Sequence, residues 1–196
     1  MKSIYRFAVK PIGERYNNTK SIGDKSLILN TEIFNHQYVN RLAEVISVPM
    51  YGETLGIEAG DKAIIHHNVF RRWHDIRGKE RNSSSWFNDE LYLISTDQIY
   101  LIDKGEGWQC PEGWTFIRPV VDEDVLASDI EKEKVGIVEY SDRFIKGDLV
   151  GLKSGYKHEF IIDDKKLYRS PTRFITIKYG NQGNKKAYNP SWAQSS

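Results

Sequence analysis

Hydrophobic residues along the chain occur in short runs rather than in long helical stripes. The runs are rich in valine, isoleucine, tyrosine and phenylalanine, and glycine, aspartate, asparagine and lysine separate them; they include AEVISV, KAII, LYLIS, WTFIRPVV, VGIVEY, EFII and FITI. Branched and aromatic residues between turn-forming residues are typical of β-strands. Only VDEDVLASDIEKEK, residues 121–134, has apolar residues at helical spacing, and it predicts one short helix. The pattern therefore predicts an all-β protein.

A stretch rich in glycine and proline divides these runs into two groups. DKGEGWQCPEG, residues 103–113, has the composition of a linker or a wide turn. The sequence predicts a first domain at 1–103, a linker at 104–112, a shorter second domain at 113–179 and a flexible polar tail at 180–196.

The runs on the two sides of the linker follow the same order. FAVKP, AEVISV, IEAGDKAII and ELYLISTDQIYLI precede it, and FIRPVV, VGIVEY, FIKGDLVGL and KLYRSPTRFITI follow it. Two β domains can share strand and turn patterns by chance, but four blocks in the same order indicate an internal repeat. The alignment places Val9 with Ile117, Val45 with Ile137, and Leu91 and Tyr92 with Leu167 and Tyr168.

The first copy is longer than the second at two connections. Between the first two aligned strands it carries about 16 additional residues, which include GDKSLILNTE at residues 23–32. Between the Gly-Asp turn and the LYLIS strand it carries about 11 additional residues, which include HHNVFRRWHDIRGKERNSSSW. The repeat predicts the common framework, and these two insertions are specific to the first copy.

The first insertion places three branched apolar residues, Leu27, Ile28 and Leu29, among polar and turn-forming residues. These side chains can fold back onto their own domain as a short buried strand edge, or they can await a partner. The sequence leaves both interpretations open at this point.

The order of elements in the first copy resembles the GroES, or chaperonin-10, family of co-chaperonins. The resemblance lies in a VKP opening strand, a long polar loop with an apolar tripeptide, the AEVISV strand, a Gly-Asp turn and LYLISTDQIYLI. It covers most of residues 5–102, and a shorter version covers residues 114–178. The chain departs from the family in having two copies, no long loop in the second, and an enlarged basic hairpin in the first. This combination suggests a divergent tandem form encoded by a large tailed phage.

The resemblance implies a fold, an assembly and a role in protein folding. Each copy would be a GroES-like small β-barrel, and the chains would form a homoheptamer that caps a GroEL-type chaperonin around an unfolded client protein. The chaperonin-binding tripeptide of a mobile loop falls on Leu27, Ile28 and Leu29. The roof hairpin of the family falls on Phe70, Arg71, Arg72 and Trp73. Because nucleotide chemistry would belong to the chaperonin, we expect no catalytic residues, cofactor or metal here.

The second insertion supports a different hypothesis. In loop 69–81, arginines and a lysine alternate with Phe70 and Trp73, a mixture that can track phosphates and stack on bases. A nucleic-acid-binding β-barrel module is therefore an alternative, as is a structural or interaction protein of a phage particle. The same loop could also be a solvated hairpin whose aromatic side chains cover its own domain.

Charge and cysteine content bear on which partners and which compartment the protein has. The chain has 28 Lys and Arg against 27 Asp and Glu, a net charge of +1, so no overall field attracts nucleic acid or a membrane. A single cysteine, Cys110, excludes an internal disulfide. No stretch has the length and apolar character of a membrane span. We therefore expect a cytoplasmic protein without membrane contact, in the host cytoplasm if a phage encodes it.

Three histidines, His66, His67 and His74, are the candidates for a metal site. Adjacent residues on a β-strand point to opposite faces, so His66 and His67 would not readily converge on one ion. The sequence does not favour metal binding.

Overall fold

The computed structural model describes residues 2–16, 19–22, 25–28, 38–121, 130–153, 155, 157–181 and 185–194. The chain divides into two compact units, Met1–Trp108 and Gln109–Ser196. The division falls inside the stretch predicted as a linker. Each unit is built on one antiparallel sheet, and the prediction of an all-β protein is confirmed.

Unit 1 contains a seven-stranded sheet and two separate hairpins. The sheet has the order β11-β10-β5-β4-β1-β9-β8, and strands β2-β3 and β6-β7 form the two hairpins. The strands are β1 (Phe7–Pro11), β2 (Thr19–Ile22), β3 (Lys25–Ile28), β4 (Leu42–Ser47), β5 (Lys62–Ile65), β6 (Arg72–His74), β7 (Glu80–Asn82), β8 (Trp86–Asn88), β9 (Leu91–Ile94), β10 (Ile99–Asp103) and β11 (Trp108–Gln109).

Unit 2 contains a six-stranded sheet. Its order is β15-β16-β12-β13-β14-β17. The strands are β12 (Trp114–Val121), β13 (Glu131–Ser141), β14 (Asp148–Leu152), β15 (His158–Ile162), β16 (Lys165–Pro171) and β17 (Ile175–Asn181). A single turn of 3-10 helix joins β16 to β17, as another joins β9 to β10 in unit 1.

The two sheets share one strand order. The common framework has five strands, which in chain order are β1, β4, β5, β9 and β10 in unit 1 and β12, β13, β14, β16 and β17 in unit 2. In both sheets their spatial order is fifth, third, second, first, fourth, and an edge strand, β8 or β15, follows the fourth. Val9 pairs with Tyr92 in unit 1, and Ile117 pairs with Tyr168 in unit 2. The pairing between the first two framework strands shifts register at the same point in both, after Ala8 and after Phe116. The two units therefore repeat the same pairing scheme, including its β-bulge.

The pairing corrects one position of the sequence alignment. Val9 lies opposite Val45, and Ile117 lies opposite Val138 rather than Ile137. The carbonyls of Val45 and Val138 also accept equivalent hydrogen bonds from Gly60 N (2.7 Å) and Gly147 N (2.8 Å). The predicted equivalence of Val45 with Ile137 was wrong by one residue, because Ile137 and Val138 are adjacent, apolar and buried, and the side-chain pattern does not distinguish them.

The Gly-Asp turns have a common physical basis. Gly60 and Gly147 have φ angles of +99° and +93°, which residues with a Cβ rarely adopt. The carboxylate of Asp61 accepts a hydrogen bond from Glu58 N at 2.9 Å, and Asp148 accepts one from Ile145 N at 3.0 Å. Glycine supplies the backbone angle and aspartate closes the turn in both units.

Neither sheet closes into the predicted small β-barrel. In the described residues, the edge strands β8 and β11 of unit 1 do not pair with each other, and neither do β15 and β17 of unit 2. Closure needs a pairing between first and last strands, which the alternation of apolar and polar residues does not specify. The described residues therefore form two antiparallel sheets without a closed barrel.

Buried side chains from the framework strands form the core of each unit. In unit 1, Phe7, Val9, Val45, Tyr92 and Ile94 belong to one buried cluster. In unit 2, the equivalent strands contribute Ile117, Val138, Val150, Leu152 and Tyr168.

Residues 185–194, which follow β17, were predicted to belong to a flexible tail but are hydrogen-bonded to strands β12 and β16. Val121 N donates to Lys186 O (3.0 Å), and Tyr188 N donates to Pro119 O (2.8 Å). The side chain of Asn189 accepts from Lys166 N at 3.0 Å. The pairing of β12 with β16 ends at Ile117, so backbone groups of Pro119 and Val121 are available to bond residues 186 and 188. These bonds order the polar segment 185–194 on the sheet of unit 2.

The predicted helix falls mainly on residues 122–129, outside the described residues. Its last part, residues 131–134, belongs to strand β13 instead. The Glu131 carboxylate accepts hydrogen bonds from Lys157 Nζ (2.6 Å) and Tyr168 Oη (2.7 Å). These contacts from distant strands favour the extended backbone over helix at this end of the segment.

In the part of the chain that the structure describes, no helix has the length and apolar character to cross a membrane.

Candidate functional site

Two residues of the apolar tripeptide, Leu27 and Ile28, lie at the end of a short hairpin. Strand β3 includes Leu27 and Ile28, and it pairs with β2 so that Ile28 lies opposite Thr19 and Leu27 opposite Lys20. The hairpin forms a two-stranded sheet of its own, separate from the seven-stranded sheet in the described residues. Leu29 lies outside the described residues. The predicted loop therefore contains regular backbone at two of the three tripeptide positions.

Unit 2 has a much shorter connection at the equivalent place. Residues 12–41 join β1 to β4 in unit 1, whereas residues 122–130 join β12 to β13 in unit 2. The strand order of the two sheets is nevertheless the same. The framework therefore does not need the segment that carries the tripeptide.

The basic insertion forms the hairpin β6-β7, here called the basic hairpin (residues 72–82). Its turn is organised by the carboxylate of Asp75, which accepts hydrogen bonds from Arg77 N (2.9 Å) and Lys79 N (3.0 Å) and forms an ion pair with Arg81 (3.0 Å). The hydrogen bond from Lys79, followed by those from Arg77 and Arg81, holds the pKa of Asp75 below its ordinary value. Part of the basic charge is thus used to shape the turn.

Phe70, predicted to belong to the roof hairpin, lies in the hydrophobic core of unit 1. Its side chain is 0% exposed, and its ring meets Tyr92 edge to face at 4.8 Å between centroids. This burial agrees with the interpretation that an aromatic side chain of the loop covers its own domain, and it does not present the Phe70 ring to a chamber or a ligand. Sequence alternation cannot separate an aromatic residue that covers its own domain from one that faces a partner.

Arg72 and Arg15 connect the basic hairpin to the unit. Arg72 N donates to Tyr16 Oη at 2.7 Å, and the Arg72 guanidinium forms an ion pair with Glu80 at 3.0 Å. Arg15 donates to the carbonyl of Phe70 (3.0 and 3.2 Å) and to Asn82 Oδ1 (3.0 Å). Sequence analysis missed Arg15, since no local motif links residue 15 to a hairpin more than fifty residues away.

The outer surface of the basic hairpin combines apolar and basic side chains. Trp73 is 45% exposed, Ile76 at the turn is fully exposed, and Arg71 is half-buried. Of the four predicted roof residues, Trp73 is the one that the structure presents most openly to solvent.

The histidines occupy a different geometry from the predicted one. His66 follows the end of β5, so strand alternation does not apply to it, and its ring stacks on that of His67 at 4.4 Å. Within the described ranges, no group of three or more His, Cys, Asp and Glu side chains could hold a metal ion.

Cys110 is a partly buried thiol in unit 2. Burial, with a smaller contribution from Asp142, raises its pKa to about 12, and its Sγ contacts Trp114 O at 3.1 Å. The thiolate is the nucleophilic form, and the raised pKa keeps this thiol protonated at neutral pH.

Unit 2 contains a buried carboxylate surrounded by three cations. The side chain of Glu139 is 1% exposed and lies 2.9 Å from Arg118 Nε, 2.9 Å from Lys146 Nζ and 3.5 Å from Lys165 Nζ. The Arg118 contact is an ion pair without hydrogen-bond geometry. Burial acts to raise the pKa of Glu139, but the Lys146 hydrogen bond and the three positive charges outweigh it, so the pKa lies below its ordinary value. The signal in the sequence was a lone acidic residue inside the apolar run VGIVEY.

Because of this charge cluster, we expect the folded state of unit 2 to lose stability in acid. Because the folded-state pKa of Glu139 lies below that of an unfolded glutamate, its contribution is present above about pH 4.3 and is lost as the pH falls through the folded-state pKa. We expect Glu139→Gln to lower the melting temperature at pH 7 and to flatten its decline between about pH 5 and pH 3. Thermal melts across this range measure both effects, with exposed Glu112→Gln as the control. Parallel acid profiles for Glu139→Gln and the unmodified protein would contradict the assignment.

No protein-family model matches the chain, and searches of curated proteins and solved structures give no significant match.

Proposed function

We propose that the protein is a co-chaperonin, a ring-shaped lid that binds a GroEL-type chaperonin and helps to enclose an unfolded client protein. Leu27, Ile28 and Leu29 are the proposed contact with the chaperonin. The proposed assembly is a homoheptamer in the cytoplasm, or in the host cytoplasm if a phage encodes the chain. The proposal rests on the resemblance of the sequence to the GroES family and on the physical arguments below.

The observation that carries the proposal is the difference between two units with the same strand order. Only unit 1 has the insertion with the apolar tripeptide, and unit 2 forms an equivalent sheet without it. An apolar segment that the framework does not require is better explained by a partner than by a core.

The free energies of burying the tripeptide and of ordering its segment explain why such a segment would act in a ring. Burial of three aliphatic side chains contributes about 1.5 to 3 kcal/mol each. Ordering a flexible segment costs about 1 to 2 kcal/mol per residue, so a single segment binds weakly. When several segments are held on one ring, docking of the first raises the effective concentration of the rest. A lid built this way binds firmly and is released by a modest change in the chaperonin.

The stoichiometry follows from the single tripeptide in each chain. Seven equivalent chaperonin subunits need seven contacts, and seven whole chains supply them, whereas alternating copies within one seven-membered ring do not. The second unit would then form another tier or widen the chamber. In this mechanism ATP hydrolysis belongs to the chaperonin, and the lid responds to it without catalysing a reaction.

The nucleic-acid alternative receives less support from the basic hairpin. Phe70 is buried, and Arg72 and Arg81 form ion pairs with Glu80 and Asp75. One of the two aromatic rings proposed for base stacking is therefore enclosed, and part of the positive charge is already compensated.

Capture by a purified GroEL-type chaperonin tests the proposal. We expect the unmodified protein to be retained with ATP or ADP and released when nucleotide is removed, and native mass spectrometry to show a heptamer. Monomers or dimers under all conditions, or no capture with any nucleotide, would exclude the ring-lid function. Salt-dependent binding to nucleic acid that Arg71→Glu with Arg72→Glu abolishes would favour the alternative instead.

A further inference from the structure

A groove in unit 2 has the features of a binding site that the lid function does not use. It has a volume of about 540 Å³ and is lined by side chains of two kinds. Trp114, Phe144, Pro171 and Ile175 supply apolar surface, and Arg143 and Arg173 supply positive charge, with Gly113 and Thr172 completing the lining. A groove of this size accommodates a small organic group or the end of a peptide.

The groove is held by a buried hydrogen-bond network. The hydroxyl of Thr115, at 0% exposure, lies 2.8 Å from Ser141 Oγ and 3.0 Å from Thr172 Oγ1. The Asp142 carboxylate accepts from Gly113 N (2.8 Å) and Thr172 Oγ1 (3.0 Å). Three separate segments are therefore joined beneath the groove, which keeps its shape before any ligand arrives.

The guanidinium groups of the two arginines lie at the exposed edge of this network. Arg143 N donates to Ser141 Oγ at 3.2 Å, and its guanidinium, with the side chain 67% exposed, forms an ion pair with Asp142 at 3.6 Å, beyond normal hydrogen-bond distance. Arg173 is exposed, and its guanidinium lies 5.1 Å from the centre of the Phe174 ring. Both guanidinium groups can reorient towards an anion at little cost to the fold.

Comparison of the two units indicates that the framework does not require these charges. Arg143 stands four residues before the turn glycine Gly147 of unit 2. The equivalent position in unit 1, four residues before Gly60, is Gly56, which carries no charge. Arg173 stands second in the 3-10 turn Thr172–Phe174, where the turn Thr96–Gln98 of unit 1 has Asp97. The same corner of the common framework is basic in unit 2 and carries an acidic residue in unit 1.

We propose that this groove binds a carboxylate attached to an apolar body, the chemistry of a polypeptide C-terminus that ends in an aromatic or aliphatic residue. The arginines match the single negative charge, and the apolar lining accommodates the last side chain. A phosphate dianion fits less well. Phosphate sites use free backbone N–H groups, whereas Gly113 N and Thr172 N already donate within the protein. The Asp142 carboxylate beside Arg143 offsets one of the two positive charges, and the remaining charge matches a monoanion better than a dianion.

Isothermal titration calorimetry with paired peptides tests the proposal on the full chain. The probes are the tetrapeptide acetyl-Gly-Gly-Ser-Phe with a free carboxylate, the same peptide with a C-terminal amide, and phenyl phosphate. We expect the acid to bind at least about tenfold more tightly than the amide, since charge-assisted hydrogen bonds are lost in the amide. We expect phenyl phosphate to bind more weakly than the acid.

Variants assign the binding to the groove. Arg143→Gln with Arg173→Gln is expected to remove the preference for the acid, whereas Arg77→Gln in the basic hairpin, which makes the same type of charge change, is expected to retain it. Thermal melts verify that each variant is folded. Equal affinity for acid and amide, tighter binding of phenyl phosphate, or no binding of either peptide at millimolar concentration would each overturn the proposal. None of these outcomes depends on chaperonin capture, so the groove and the lid function fail or succeed separately.

Discussion

Ile28→Asp is expected to abolish nucleotide-dependent capture by a GroEL-type chaperonin. The substitution removes about 1.5 to 3 kcal/mol of apolar burial at each contact and places a carboxylate where desolvation is costly. Because the proposed ring carries one such residue in every chain, the loss recurs at each contact and the avidity of the ring disappears. Retention on immobilised chaperonin with and without nucleotide measures the effect.

Ile76→Asp is the matched control for this experiment. Ile76 is fully exposed at the turn of the basic hairpin, so the same chemical change there leaves the tripeptide intact. We expect its capture to equal that of the unmodified protein. Capture of Ile28→Asp at the unmodified level would refute the tripeptide assignment. A melting temperature lowered by several degrees, with capture unchanged, would identify Ile28 as part of a buried strand edge.

Phe70→Ala is expected to destabilise the protein by about 3 to 5 kcal/mol, the usual cost of deleting a fully buried aromatic side chain. The ring lies in the core of unit 1 against Tyr92, and the Phe70 carbonyl accepts two of the three Arg15 hydrogen bonds, so the resulting cavity borders the base of the basic hairpin. Urea denaturation followed by circular dichroism measures the change in unfolding free energy, with the two units analysed as separate transitions where they are resolved.

Trp73→Ala separates core packing from surface effects. Trp73 lies three residues further along and is 45% exposed, so its loss is expected to cost less than about 1 kcal/mol. Equal destabilisation by the two substitutions would contradict the distinction between the buried and exposed aromatic residues. If the Trp73→Ala protein still forms a chamber with the chaperonin, then Trp73 is not needed for the proposed roof, and another part of the hairpin serves that function.

The strands and their repeated order were predictable because local chemistry specifies them. Branched and aromatic residues at alternating positions gave the strands, and the Gly-Asp turns at Gly60 and Gly147 marked equivalent points in the two units. The alignment of Val9 with Ile117 and of Tyr92 with Tyr168 agrees with the pairing in the sheets. One predicted equivalent was wrong by a single position, since the adjacent residues Ile137 and Val138 are both apolar and buried and the apolar pattern does not distinguish them.

The candidate sites were less predictable because their residues come from distant segments. Arg15 supports a hairpin that begins at residue 72, and the buried network joins Thr115, Ser141 and Thr172. Charge reversal between Asp97 and Arg173 was visible in the sequence once the copies were aligned, and it was the one available signal for the groove.

By itself, the sequence determined the strand content, the division into two related halves and the presence of an apolar tripeptide in only one of them. These features depend on residue type and spacing along the chain. Tertiary structure alone decided that the sheets of the described residues are open, that Phe70 belongs to a core, that residues 185–194 hydrogen-bond to β12 and β16, and that two arginines share a groove. Each of these depends on which distant backbone and side-chain groups meet in the folded protein, and residue spacing does not encode that directly.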